Sequence, residues 1–161
     1  MMAPNRKSWA FAAVVAAGAA GGALCIGLME YLSITADYPL MSIPFATSIV
    51  LVMGTPEAAP AQPRALIGGH LVSALAGLLV LKLAGPSAWT AALAVGIAIA
   101  GMHATGTFHP PAGIDALIVV TNGLPWTFLI APVAAGAILL TLCAFAWHNL
   151  VGRTAWPLRW W

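Results

Sequence analysis

Charge is what this chain lacks most. Of its 161 residues only 6% are charged, six Lys or Arg and four Asp or Glu, where a soluble domain carries about 25%. With 61% hydrophobic residues and a mean hydropathy of +0.96, no soluble fold of this size could hide its apolar surface. The protein is therefore integral to a membrane. No stretch is polar enough for a second, soluble domain, so residues 1–161 read as one transmembrane domain. A net charge of +2 is too small to point to nucleic acid. Cysteine is scarce as well. Cys25 and Cys143 lie far apart in apolar runs, which gives neither a disulfide framework nor a metal-ligand spacing, and they read as small buried side chains. Also missing are a phosphate-binding glycine loop, paired carboxylates and a Ser/His/Asp spacing. No catalytic set is expected, no enzyme activity, no metal and no cofactor.

What is there is length of apolar chain. Four runs, 9–29, 65–83, 88–107 and 126–148, are each long enough to span a bilayer. The first follows Arg6 and Lys7 as in a signal peptide, but it exceeds a usual signal core. No small-residue cleavage site follows, and Leu24 spoils a lipobox at Cys25. It is read as a retained span. Two further segments are too short: 41–53 (MSIPFATSIVLVM) and 109–120 (HPPAGIDALIVV). A helix of that length covers about 20 Å of a roughly 30 Å hydrocarbon layer. Half-length, proline-led helices in corresponding positions of two halves are a sequence pointer to a binding site within a membrane protein. The expected fold is all-α, with four long transmembrane helices and two half-helices.

The order long, short, long occurs twice, and 9–83 and 88–148 read as two repeat-like halves. Trp9 and Trp89 open them, and Ala12, Val15, Ala20 and Gly21 align with Ala92, Val95, Ala100 and Gly101. Pro44 then pairs with Pro111, and Ser48 with Asp115. Lys and Arg distribution puts both termini in the cytoplasm whether the short segments re-enter or cross. Re-entrant segments leave Arg64 alone on the far side, and crossing segments leave Lys82 alone there. Gly69, Ser73 and Gly77 form one small-residue stripe, and Gly96, Ala100 and Ala104 another. Both read as helix-packing faces.

The residues that could carry chemistry gather at the short segments. In Phe108-His109-Pro110-Pro111-Ala112-Gly113, a proline pair opens a helix, His109 can cap it, and the amides of Ala112, Gly113 and Ile114 lack helical partners. At membrane depth they need an acceptor, which an anion, a neighbouring helix or a water-filled cavity would supply. The first segment repeats the pattern: Ser42 could cap, Pro44 sits in the first turn, and Thr47 and Ser48 add hydroxyls. Arg64 stands at a span edge, as an interfacial anchor or as a charge steering anions to a pore mouth. His70, about a turn and a half deeper, needs a polar partner. His103 and His109 are six apart, the wrong spacing for two ligands on one helix face. His103 reads as a buried, hydrogen-bonded residue. Asp115, inside the membrane domain, is a functional candidate, yet ionised it would repel a bound anion. It faces away, sits neutral in the site, or couples proton movement to substrate movement.

The runs IPFATSIVLVMG, AQPRALIGGHLVSALAG and FHPPAGIDALIVV resemble the HPP family of small bacterial and plastid membrane proteins, over about residues 9–150. Pro44, Gln62, Pro63, Arg64, Gly68, Gly69, His70, His109, Pro110, Pro111, Ala112 and Gly113 fall on its motif positions. Asp115 stands where the resemblance leads one to expect a neutral or small residue. Some plastid and cyanobacterial members are similar to nitrite transporters. The resemblance thus implies nitrite, or a related small anion, as substrate in a bacterial inner membrane. It implies no nucleotide-type control of the kind longer members have. The expected function is a small-anion transporter or channel, with a homo-oligomer as a natural assembly for so small a domain. The alternatives are a membrane interaction protein that moves nothing, and a proton or cation path through Asp115 and the histidines.

Overall fold

The computed structural model describes residues 6–37 and 42–160. Met41, the first residue of the expected first short segment, lies outside them. Among the described residues the fold is all-helical, with four helices long and apolar enough to cross a membrane. Helix α1 is Arg6–Thr35. A 3₁₀ turn, Ile43–Phe45, leads into the short α2, Ala46–Gly54. A second turn, Ala59–Ala61, precedes α3, Pro63–Ala84. Helix α4 is Ala88–Thr105, and a third turn, Pro110–Ala112, leads into the short α5, Gly113–Asn122. The last helix, α6, runs Leu129–Val151.

Local chemistry sets these ends. Helix α4 starts in a capping box. The Thr90 amide donates to Ser87 Oγ (3.1 Å) and the Ser87 amide to Thr90 Oγ1 (2.9 Å). Helices α4 and α5 stop at Gly106 and Gly123, whose φ of 65° and 62° puts them in the left-handed region that glycine enters without strain. Helix α6 winds wider at Leu129–Ala134, around Pro132, and again at Trp147–Val151. The wider winding accommodates a proline that a tight helix would reject. The expected end of the first span at Met29 is corrected. Helix α1 continues to Thr35 because Glu30 does not stop it: that carboxylate accepts a hydrogen bond from the Ser42 hydroxyl.

The chain path follows from who meets whom. The Met53 carbonyl at the end of α2 lies against Gly18 in the first half of α1. Arg64 Nη2 donates to the Thr105 carbonyl (2.9 Å), so α3 begins where α4 ends. His148 Nε2 donates to the Val52 carbonyl (3.0 Å), and the Leu158 amide donates to Gln62 Oε1 (2.9 Å). These ends share what can be called the Arg64 face. At the opposite, Lys82 face, Phe128 at the start of α6 packs with Leu78 and Val119. The end of α1 reaches the start of α6 there, around Leu32, Ala36 and Ala135. Successive helices thus alternate in direction, and the short segments pass from face to face rather than re-entering. Arg64, Arg153 and Arg159 fall on the face where α1 begins, and Lys82 on the other. The unit α1–α2–α3 starts at one face and the unit α4–α5–α6 at the other, so the two run in opposite senses.

The two small-residue stripes differ. Gly69, Ser73 and Gly77 are buried on α3 against α5 and the turn before it. A Cβ at Gly77 would lie 2.9 Å from Ala116 Cα, and one at Gly69 would lie 2.6 Å from His109 Cβ. That closeness is what glycine permits between helices. The Gly96 stripe is corrected. Helix α4 buries Ala91, Ala94, Ala98 and Met102, while Gly96, Ala100 and Ala104 face outward. Cys25 and Cys143, distant in sequence, share the wall of one apolar cavity between α1 and α6, Cys25 buried and Cys143 partly so.

Candidate functional site

The two proline-led turns meet inside the protein, Ile43–Phe45 packing on Pro110–Ala112. From that junction α2 runs to the Arg64 face and α5 to the Lys82 face, so the helices point their N-terminal ends at each other. The middle of α3 closes the junction. Gly68 and Gly69 let the strand-like stretch Thr107–His109 lie directly on α3, where a Cβ at Gly68 would meet Thr107 Cγ2 at 2.5 Å.

Four polar side chains line up there, every one fully buried. Asp115 Oδ2 lies 2.7 Å from His70 Nδ1. His70 Nε2 lies 2.8 Å from Ser48 Oγ, and Ser48 Oγ lies 2.9 Å from His109 Nε2. His109 Nδ1 donates to the Pro60 carbonyl at 2.6 Å. Helix α5, helix α3, helix α2, the turn before α5 and the loop before α3 each supply one member. The Phe45 ring stacks obliquely on His70 (centroids 4.6 Å apart) and shields the line from one side. His70 and Asp115 make the one contact of salt-bridge length found among the described residues. Asp115 Oδ1 is buried with no hydrogen-bond partner.

Several expectations meet a correction here. Ser42 occupies the cap position of its turn, but its hydroxyl bonds Glu30 instead of capping. His109 likewise sits at the cap position without capping, because its ring is committed to Ser48 and Pro60. The first-turn amides are largely used by the protein. Phe45 N donates to the Ser42 carbonyl (3.0 Å), and Ala112 N to the His109 carbonyl (3.0 Å). Gly113 N bonds back to Pro110 and Pro111, and Ala116 N donates to Ser73 Oγ (3.2 Å). A tight 3₁₀ turn reaches one residue less far back and so satisfies amides that an α-helical start would leave free. Ser48, His70 and Asp115 do converge, although no Ser/His/Asp spacing is visible in the sequence. Pro44 and Ala112 are buried in the junction, while Pro111 and Gly113 are partly buried at its edge. Thr47 and Pro110 are exposed and outside the line. His103 is exposed, not buried, and stacks on Phe108 with centroids 4.2 Å apart.

On the Arg64 face a cavity of about 390 Å³ opens beside the junction. Pro60, Arg64, His103, Phe108, Arg159 and Trp160 line it. Among the described residues neither arginine pairs with a carboxylate, and Arg64 is held by the Thr105 carbonyl. Pro60 is common to both places: it walls the cavity and accepts the last hydrogen bond of the buried line. Sequence reasoning missed Pro60, because a backbone acceptor leaves no mark in residue type. It missed Arg159 because only the hydrogen bonds of Leu158 to Gln62, and of Asn149 to Trp156, bring the C-terminal segment back to this face.

The chain matches the transmembrane region of the HPP family over residues 4–157, and it belongs to that family. It is similar to two transmembrane proteins of Dictyostelium discoideum. One is 36% identical over 149 residues, covering 87% of this chain and 48% of the relative. The other is 34% identical over 149 residues, covering 87% of this chain and 52% of the relative. The chain thus spans about half the length of these curated relatives. No solved structure matches it.

Proposed function

We propose that this protein moves a small inorganic anion across the membrane, with nitrite the first candidate. The observation that carries the reading is the meeting of two half-helix N-terminal ends at the Ser48–His70–His109 junction, next to the Arg64–Arg159 cavity. Two opposed units with half-helices meeting at their boundary favour transport, and we read them as inverted repeats. Unpaired arginines at a cavity mouth raise the local anion concentration. The positive dipole ends of the two helices, the Ser48 hydroxyl and a His109 N–H released from its present partner would then replace part of the anion's hydration. With every junction side chain buried, an anion enters only by taking over hydrogen bonds that now join Ser48 to the histidines.

With Arg64, Arg153 and Arg159 on one face and Lys82 on the other, we read the Arg64 face as the cytoplasmic one, in a bacterial inner membrane as the proposed setting. Helix α1 keeps Phe11, Val14, Val15, Leu24 and Ile34 outward, surface that lipid or a second copy would cover. We assign no catalytic role. Ser48, His70 and Asp115 have the atoms of a hydrolytic triad, but no cavity reaches the Ser48 hydroxyl, and a second histidine shares it. The full burial of His109 is the observation that favours the rival reading, an interaction protein that moves nothing.

Flux into proteoliposomes separates the two. Nitrite, nitrate, formate, bicarbonate and chloride are compared, against protein-free vesicles. Saturable nitrite entry, reduced in a folded His109→Ala protein, is the expected result. No anion flux through well-inserted protein supports the interaction reading. Loss of folding along with flux in His109→Ala gives that residue a purely structural role.

A further inference from the structure

We propose that the junction carries one proton with each anion, held between Asp115 and His70 and passed through Ser48 to His109. The inference rests on the anion-transport reading and adds the coupling ion to it.

The hydrogen bonds of the line need four protons. The Pro60 carbonyl can only accept, so His109 carries its proton on Nδ1. Its Nε2 then accepts, and the partner at 2.9 Å is the Ser48 hydroxyl, which must donate. Ser48 has a single proton. At 2.8 Å from His70 Nε2 it must therefore accept, which places a proton on that nitrogen. The last link, His70 Nδ1 to Asp115 Oδ2 at 2.7 Å, needs a proton of its own. Four links require four protons. An ionised Asp115 with two neutral histidines supplies three, leaving one of these close contacts as lone pair against lone pair. The fourth proton sits between Asp115 and His70, as carboxylic acid with imidazole or as carboxylate with imidazolium. Either way the line is neutral overall, as an apolar interior demands.

The same order allows relay. Ser48 gives its proton to His109 Nε2 as it takes the Nε2 proton of His70. The shared proton then stays wholly on His70 Nδ1. The products are an Asp115 carboxylate and a His109 imidazolium, the latter nearest the arginine cavity. An anion there pairs with that cation, and when the anion leaves with the Nε2 proton, His109 returns to neutral imidazole and no net charge has moved. The unpartnered Asp115 Oδ1 is an acceptor at the other end, where the next proton can bind. The titratable groups facing the line are its own members: His70 from α3, His109 from the turn before α5, and Asp115 from α5. Helix α2 contributes Ser48, with Phe45 just before it, and α6 contributes Gly136 against that ring. Among the described residues, Glu30 bonds Ser42 and Arg64 bonds Thr105, and neither reaches the line.

The test records nitrite uptake and lumen pH together in the same proteoliposomes, with protein-free vesicles as baseline. The expected result is one proton per anion, uptake indifferent to membrane potential, and about tenfold accumulation per unit of inward pH gradient. Asp115→Asn, close in shape, should lose the gradient dependence. Because the wild-type stoichiometry decides the matter, a variant that fails to fold does not rescue the proposal. Saturable uptake with no change in lumen pH, or uptake that follows membrane potential, overturns the coupling and leaves anion transport standing. Absence of saturable uptake overturns the transport reading itself, and the coupling with it.

Discussion

The two short helices, α2 and α5, begin alike and are equipped differently. Each follows a proline-led turn, each starts at the junction, and each runs to a different face. At matching places α2 carries the hydroxyl of Ser48 and α5 the carboxyl of Asp115, and His70 bonds both. Their seats also differ. Helix α5 is wedged between α3 and α4, with Gly77 holding Ala116 at backbone distance. Helix α2 lies on α1, the least buried of the long helices, with Gly18 against the Met53 carbonyl. The two half-helices therefore present an asymmetric set of side chains, with the acid on the more tightly packed side.

The largest effect is expected where the two halves join. His109→Ala removes the ring that donates to the Pro60 carbonyl and accepts from the Ser48 hydroxyl, and nitrite uptake should fall roughly tenfold to a hundredfold. Uptake per folded protein checks this. Next come the seats. Gly77→Ala pushes a methyl into the α5 backbone and should cost about 1–3 kcal/mol, read as a lowered unfolding temperature in detergent. Gly18→Ala should cost less, because α2 and α1 can part into lipid while α5 has no such room. Equal losses would erase the claimed difference between the seats. Arg64→Ala and Arg159→Ala should raise the half-saturating anion concentration several-fold, on the order of 1 kcal/mol, and leave the maximal rate nearly intact. The smallest effect is expected at Gly96, where an added Cβ meets nothing within 4 Å. Gly96→Ala should leave stability within about 0.5 kcal/mol or raise it slightly.

Much of the frame was legible in the sequence for physical reasons. Hydropathy and length mark the four spans, and proline with insufficient length marks the two half-helices. Aligning the two short segments pairs Ser48 with Asp115, and in the fold both bond His70. What stayed hidden depends on the third dimension. Ser48, His70 and Asp115 meet only because α2, α3 and α5 cross at one level, and linear spacing carries no trace of that. The two small-residue stripes look alike as strings, yet one is buried and one faces outward, since small residues suit a helix surface in either place. Glu30 suggested a span end because its partner, Ser42, lies beyond the helix. Of the free amides expected at the half-helix starts, those of Phe45, Ala112 and Gly113 are taken up by carbonyls at the 3₁₀ turns that proline favours there.

For transport, the buried junction must open to the anion. Ser48→Cys, in a Cys25→Ala/Cys143→Ala background, puts a thiol of nearly unchanged shape at that point. Exposure to a small, negatively charged thiol reagent is then followed by mass and by nitrite uptake. The account predicts that Cys is modified from the aqueous phase, that modification blocks uptake, and that nitrite slows the reaction. A protein that transports nitrite while this thiol stays unmodified would contradict it.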